Sequence, residues 1–200
     1  MDAIVAQALA KWPNVPHCYG WLALDARGNW RMRNEAAQEQ QLAGDKIVHP
    51  ALIGFIQRNY THDAQGRYYF QNGPQRVYVD LEIAPYIAHT DPVHGFILHT
   101  GQHFTNIAEA YLSASGRLLL AGVDKLALLD DRDMAECLAR IQLDGGNITD
   151  EQLLEWMKQH GNGGTLTLQA GPNKIALHYI EDAAISSRFG FICKPRAADT

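Results

Sequence analysis

Four imidazoles fall within fifteen residues, at His89, His94, His99 and His103. Zinc or iron takes three or four ligands at about 2 Å, and strands or a hairpin could bring His89, His94 and His99 together, with Asp91 the nearby carboxylate. That is the pattern of a metal-dependent enzyme or metalloprotein. Against it, strand residues five apart point to opposite faces unless a bulge intervenes, and Asp91-Pro92 interrupts the run. The expectation is therefore separate, hydrogen-bonded histidines, with neither metal nor cofactor. Cys18, Cys137 and Cys193 are odd in number and far apart, so they spell neither a disulfide framework nor a zinc knuckle. Cys137 shares a helical face with Met134, Leu138 and Ile141, and Cys193 follows Phe191-Ile192, so both read as small buried hydrophobes. His62-Asp63 precedes Gly66 in a loop, unlike the helical pairs of metal phosphohydrolases. Gly161, Gly163 and Gly164 join a helix end to a strand, the reverse of the order that cradles phosphate. Nucleophile-elbow, P-loop, dinucleotide and zincin motifs are absent.

The second chemically distinctive stretch is "RYYFQNGPQRVYVD", residues 67–80. Tyr and Arg offer rigid contact area with polar tips, the composition favoured at recognition surfaces. Tyr68, Tyr69, Arg76 and Tyr78 are accordingly the candidate residues for a small ligand or protein partner. The competing reading is cross-strand pairing of rings in a twisted hairpin, covering a helix at 50–59.

Those residues need a frame. Ile4, Val5, Ala8 and Leu9 predict a helix over 2–11, and "YGWLALDARGNWRMRN" predicts a hairpin turning at Gly28. A polar loop or frayed helix at 38–41 follows, then a short strand and a helix begun by Pro50, with Leu52, Ile53, Phe55 and Ile56 on its buried side. "GRYYFQNGPQRVYVDLEI" predicts a hairpin about Asn72-Gly73, and "YIAHTDPVHGFILHTG" two further strands. In the second half a hairpin turns at Ser115-Gly116, "KLALL" is a strand and "DDRDMAECLARI" a helix. "NITDEQLLEWMKQHG" is a helix with Thr149 and Gln152 in capping-box spacing. "GTLTLQAGPNKIALHYI" is again a hairpin, and "AAISSRFGFICK" a final strand.

The stretch "QNGPQRVYV" at Gln71 returns as "QAGPNKIAL" at Gln169. The match runs without gaps from 66–87 to 164–185, with Gly66/Gly164, Gln71/Gln169, Gly73/Gly171, Pro74/Pro172 and Ile87/Ile185 identical. "LIGFIQRNY" precedes one copy as "LLEWMKQHG" precedes the other, and "LDARGNW" echoes as "LSASGRL". The expected architecture is α+β and internally duplicated: two related modules of antiparallel hairpins with a packed helix, at 1–104 and 105–200. A ligand or partner at their junction is expected to prefer the first copy, which is richer in Tyr and Arg.

Composition bounds the partners. Lys and Arg number 17 against 22 Asp and Glu, a formal charge of −5, without a basic run to track a phosphate backbone, so nucleic acid is not expected. No apolar run approaches the length that spans a bilayer, and Asp2 with the short apolar stretch before Lys11 does not make a signal peptide. A cytoplasmic, non-catalytic binding or regulatory module follows, with homo-oligomer formation left open.

"GWLALDARGNWRMRNE", "HPALIGFIQRNY" and "YYFQNGPQRVYVDLEIAPYIAHTD" together resemble an uncharacterised family of proteobacterial proteins across essentially the whole chain. The first half is also similar to another family of unknown function. In that family a hairpin ending in Gly-x-Trp leads through a helix to "DGxYYLVTPVEKVRI" and an acidic-Ala-Pro-aromatic corner. Gly28-Asn29-Trp30, "DAQGRYYFQNGPQRVYV" and Ala84-Pro85-Tyr86 match, while Ile83 departs from the acidic position. The second resemblance implies repeated α+β modules and a link to signalling.

Overall fold

The computed structural model describes residues 1–171 and 173–197, so Pro172 of the Pro74/Pro172 match lies outside the described residues. The chain forms two compact units: one from Met1–Pro85 together with the stretch from Phe189 onward, the other Tyr86–Arg188. The division falls at Pro85/Tyr86, not at 104/105. The strands after Pro85 hydrogen-bond into the second unit's sheet. The C-terminal stretch returns to the first unit, where Leu81 N–H donates to Cys193 O at 2.7 Å and Arg196 grips Asp80.

The first unit begins with helix α1 (Ala3–Lys11), then β1 (Cys18–Leu24), β2 (Trp30–Met32), α2 (Glu35–Glu39) and β3 (Asp45–Lys46). Helix α3 (Pro50–Arg58) leads to β4 (Tyr60–His62), β5 (Tyr68–Asn72) and β6 (Gln75–Leu81). Proline at the first turn of α3 costs no hydrogen bond there. The sheet order is β3-β2-β1-β6-β5-β4, with β1 and β6 parallel at its centre.

The second unit contains β7 (Tyr86–Asp91), β8 (Gly95–Leu98), β9 (Ile107–Ser113), β10 (Leu118–Gly122), β11 (Leu126–Leu129), α4 (Met134–Leu138), β12 (Ile141–Leu143) and β13 (Gly146–Asn147). It continues with α5 (Asp150–Lys158), β14 (Leu166–Ala170), β15 (Asn173–Ile180) and α6 (Ile185–Arg188). The sheet order is β13-β12-β14-β15-β9-β10-β11-β7-β8, with β9 and β15 parallel. Helix α5 starts at the foreseen capping box: Thr149 Oγ1 accepts from Gln152 N–H, and Gln152 Oε1 from Thr149 N–H at 2.9 Å.

The hairpins match pair for pair. Tyr69↔Tyr78, Phe70↔Val77 and Gln71↔Arg76 return as Thr167↔Ala176, Leu168↔Ile175 and Gln169↔Lys174. The shared glutamine has a local reason: its amide folds over the turn, Gln71 Nε2 donating to Gly73 O at 2.9 Å and Gln169 Nε2 to Gly171 O at 2.7 Å. Gly73 and Gly171 hold φ of 57° and 58°, a conformation that favours glycine. The fainter echo is also in register: Leu24 faces Trp30 and Leu81, while Leu112 faces Leu118 and Tyr179.

Two expectations change. Residues 182–188 are a 3-10 turn and α6, so Ile87 lies in a strand where Ile185 lies in a helix. Side chains that suit either state leave this to tertiary context. The helix equivalent to α3 is α4, not α5. Tyr60↔Phe70 returns as Ile141↔Leu168, and Gln71 N–H donates to Asn59 O as Gln169 N–H does to Arg140 O. One aspartate closes both approaches: Arg67 N–H donates to Asp63 Oδ1 four residues away, and Thr165 N–H to Asp144 Oδ1 twenty-one away. The difference houses β13 and α5.

Candidate functional site

Strand alternation divides the predicted tyrosines. Tyr69, Arg76 and Tyr78 share one face of the first sheet, because Tyr69 pairs with Tyr78 and alternate residues share a side. Tyr68 points the other way, with Tyr60 at 5.4 Å and His62 at 5.1 Å between ring centroids. The four residues therefore do not form one surface. Tyr78 is 0 % exposed and Tyr69 is buried, so neither presents a free ring.

Tyr78 is the hub of a closed network. Its ring stacks on Tyr19 at 4.6 Å, and the Arg67 guanidinium lies over it at 4.8 Å. Its hydroxyl donates to Asp63 Oδ2 at 3.0 Å and accepts from Arg67 Nη2 at 3.2 Å, while Arg67 Nε reaches Asp63 Oδ2 at 2.8 Å. Burial pushes the Tyr78 hydroxyl above its ordinary range. Burial would also raise Asp63, but the Arg67 N–H and guanidinium, the Gln65 N–H and the Tyr78 hydroxyl outweigh it and hold the carboxyl low. His17 is pushed down by burial and by Arg76 and Arg67. Arg76 covers the Tyr69 ring at 4.7 Å and is only half-buried. Of the four predicted residues it alone has a surface to offer.

The opposite face of the same hairpin lines a cavity. Phe70, Asn72 and Val77 form one wall, Cys18, Trp21, Leu22 and Met32 another, and Leu52, Phe55 and Ile56 of α3 the third, around about 300 Å³. Phe55 meets Phe70 edge to face at 5.3 Å. No charged side chain lines it. Trp21, Met32 and Leu52 are 40, 45 and 37 % exposed at its mouth, so Leu52 belongs to a rim where the helical pattern placed it in the core. The register shift between Cys18 and Leu22, through Gly20 at φ 80°, reshapes this wall, and a Cβ on Gly20 would lie 2.4 Å from Gln38 Oε1. Neither Phe70 nor Val77 was among the candidate residues that the sequence singled out in this hairpin.

The histidine segment does not converge. His94 and His103 stack at 3.7 Å, His99 Nδ1 accepts from Ile87 N–H at 3.1 Å, and His89 Nδ1 lies 3.6 and 3.5 Å from Asp130 and Asp133. Asp91 accepts the backbone N–H groups of Val93 and His94. Among the described residues no group of three or more His, Cys, Asp or Glu is placed to hold a metal ion. Cys137 is fully buried, and burial pushes its thiol up to about 11.

The second unit holds a polar cavity of about 580 Å³ that sequence reasoning missed. Tyr111 Oη donates to Glu109 Oε2 at 2.5 Å, with His178 Nε2 4.0 Å from Oε1. Tyr179 Oη donates to Glu181 Oε1 at 2.7 Å, with His160 Nδ1 at 3.2 Å from the same oxygen. Burial and then Glu109 raise Tyr111, and the bond to Glu181 raises Tyr179. The legible signal was Glu-x-Tyr within β9 and Tyr-x-Glu across the end of β15, each pair two residues apart.

The family model DUF2944, described as "Protein of unknown function (DUF2946)", matches residues 1–196. The chain belongs to this family. No curated protein matches. A crystal structure of a DUF1285 family protein from Silicibacter pomeroyi DSS-3, at 2.50 Å resolution, is similar over 89 % of this chain and 96 % of its own, with 16 % identity and a TM-score of 0.49. Among the described residues no helix is long and apolar enough to cross a membrane.

Proposed function

We propose that the protein is a non-catalytic, small-ligand-binding module of the regulatory kind, with the ligand seated in the first unit. The observation that carries this is the uncharged cavity of about 300 Å³ between α3 and the β5–β6 hairpin, walled by apolar side chains with Asn72 and Cys18 as polar points. Small-molecule sites run from about 300 to 1,000 Å³ and have this mixture of apolar wall and few polar groups. An uncharged apolar ring or short chain suits it, since a buried charge would find no partner there. The recurrence of strand pairs, turn clamps and the aspartate bridge in both units supports descent from one duplicated module. The first unit, with a five-residue loop at 63–67 where the second has α5, serves as the ligand-binding copy. The metal-dependent alternative lacks support, because His89, His94 and His99 point to three different environments.

The test uses N-phenyl-1-naphthylamine, an uncharged fluorescent probe, with the full chain. Saturable binding at one site is expected, with energy transfer from Trp21 that is lost in Trp21→Phe. Leu52→Glu at the rim should weaken binding at least about ten-fold while moving the thermal midpoint by no more than about 2 °C. Absence of saturable binding, or binding indifferent to both variants, refutes the reading.

A further inference from the structure

The cavity of the second unit has a different chemistry, and it stands independently of the site above. We infer that it seats a small zwitterion, a molecule carrying both an ammonium and a carboxylate, of which a free α-amino acid is the simplest form.

The walls present both signs of charge without cancelling them directly. Arg188 makes one hydrogen bond, a long one of 3.5 Å to the Tyr111 hydroxyl, and no ion pair among the described residues. Its guanidinium therefore keeps donor positions for a carboxylate, which it can grip with two parallel N–H bonds. The two glutamates are held by neutral phenols, with histidines beside them, and neither pairs with Lys or Arg among the described residues. Among the described residues the ion-pair neighbour of Glu109 Oε1 is His178 Nε2, at 4.0 Å, beyond hydrogen-bonding distance. That oxygen is an open acceptor for an ammonium.

The walls also suit the ammonium end. Tyr111 and His178 lie 5.4 Å apart, and Tyr179 and His160 5.0 Å apart, between centroids. The tyrosine faces attract cations. A ligand of one sign alone would satisfy one of these charged groups and leave the like-charged group beside the same Tyr111 hydroxyl to repel it. At about 580 Å³ the space accepts an amino acid with a sizeable side chain.

The experiment is a thermal-shift screen of the common L-amino acids, followed by calorimetric titration, with putrescine and glutarate as single-sign controls. At least one amino acid is expected to saturate a single site at concentrations up to about 10 mM. Arg188→Gln and Glu109→Gln should each weaken it about ten-fold or more. Both side chains are partly exposed, so the unliganded thermal midpoint should move by no more than about 2 °C. Naphthylamine binding in the first unit should persist in both variants, which separates failure here from failure there. The inference is overturned if no amino acid binds, if either control binds as tightly, or if Arg188→Gln leaves affinity unchanged.

Discussion

The loops at 63–67 and 144–165 start from the same device and end in different places. In each, an aspartate accepts the N–H of the residue that opens the second hairpin. In the first unit the loop is short enough for Asp63 to serve four donors at once: the N–H groups of Gln65 and Arg67, the Arg67 guanidinium and the Tyr78 hydroxyl. In the second, β13 and α5 intervene, and Thr165 N–H is the one donor to the Asp144 side chain among the described residues. The aspartate anchors a buried network in the first unit and a surface clamp in the second. The face above it diverges accordingly. Tyr78 is 0 % exposed, whereas its pairing equivalent Ala176 is exposed, and the side chain of neighbouring His178 is 48 % exposed beside the polar cavity.

The largest test of this contrast is a pair of matched substitutions. Asp63→Ala leaves Arg67 and the Tyr78 hydroxyl without their shared acceptor and should cost roughly 2–4 kcal/mol, because removing one member of a buried charged network strands the others. Asp144→Ala should cost about 1 kcal/mol or less. Chemical denaturation followed by circular dichroism measures both. Equal losses would show that the two aspartates remain equivalent.

Acid should separate the units next. Asp130 is fully buried, and its bonds to the Arg132 guanidinium outweigh burial and lower it to about 2. Because the folded value lies below the ordinary one, the stabilisation is present above about pH 4 and disappears as pH falls through about 2; at neutral pH it amounts to about 2 kcal/mol. Unfolding followed by Trp156 from pH 6 to 2 should show this dependence in the parent and lose most of it in Asp130→Asn. An unchanged pH profile in the variant would remove Asp130 as its source.

Much of this frame was legible because local rules agreed with the fold. The capping box at Thr149, the turns at Gly28 and Gly116 and the paired hairpins all rest on backbone chemistry that sequence states directly. The equivalence of α3 with α4 was not legible, since "LLEWMKQHG" resembles "LIGFIQRNY" in composition and stands immediately before the repeated hairpin; only the bonds from Gln71 to Asn59 and from Gln169 to Arg140 reveal the insertion. The proposed ligand cavity was legible to within one residue. "RYYFQNGPQRVYVD" does border a cavity, but Phe70 and Val77 line it while Tyr69 and Tyr78 face away. Ring and guanidinium chemistry directed attention to one side of a strand, although a tyrosine surrounded by Arg67, Asp63 and Tyr19 is already satisfied. Glu109, His160 and Arg188 escaped notice because they are far apart in sequence and only strand pairing and a helix end bring them together.

The smallest predicted effect concerns the glutamine shared by both copies. Each amide folds over its turn to a glycine carbonyl, so the hydrogen bond is the same on both sides. The surroundings differ: Gln71 is 0 % exposed, whereas Gln169 is half-buried. In the first copy, removing the buried amide takes the donor from a half-buried carbonyl and leaves a void beside it; in the second, water replaces the lost donor. Gln71→Ala should therefore cost about 1–2 kcal/mol and Gln169→Ala about 0.5 kcal/mol. Amide hydrogen exchange at the turn gives a local reading independent of global unfolding. Faster exchange at Gln75 N–H in Gln71→Ala, with a smaller change at Asn173 N–H in Gln169→Ala, is the expected pattern. The reverse order would mean that burial does not set the value of this clamp, and that the two hairpins are stabilised by the turn glycines alone.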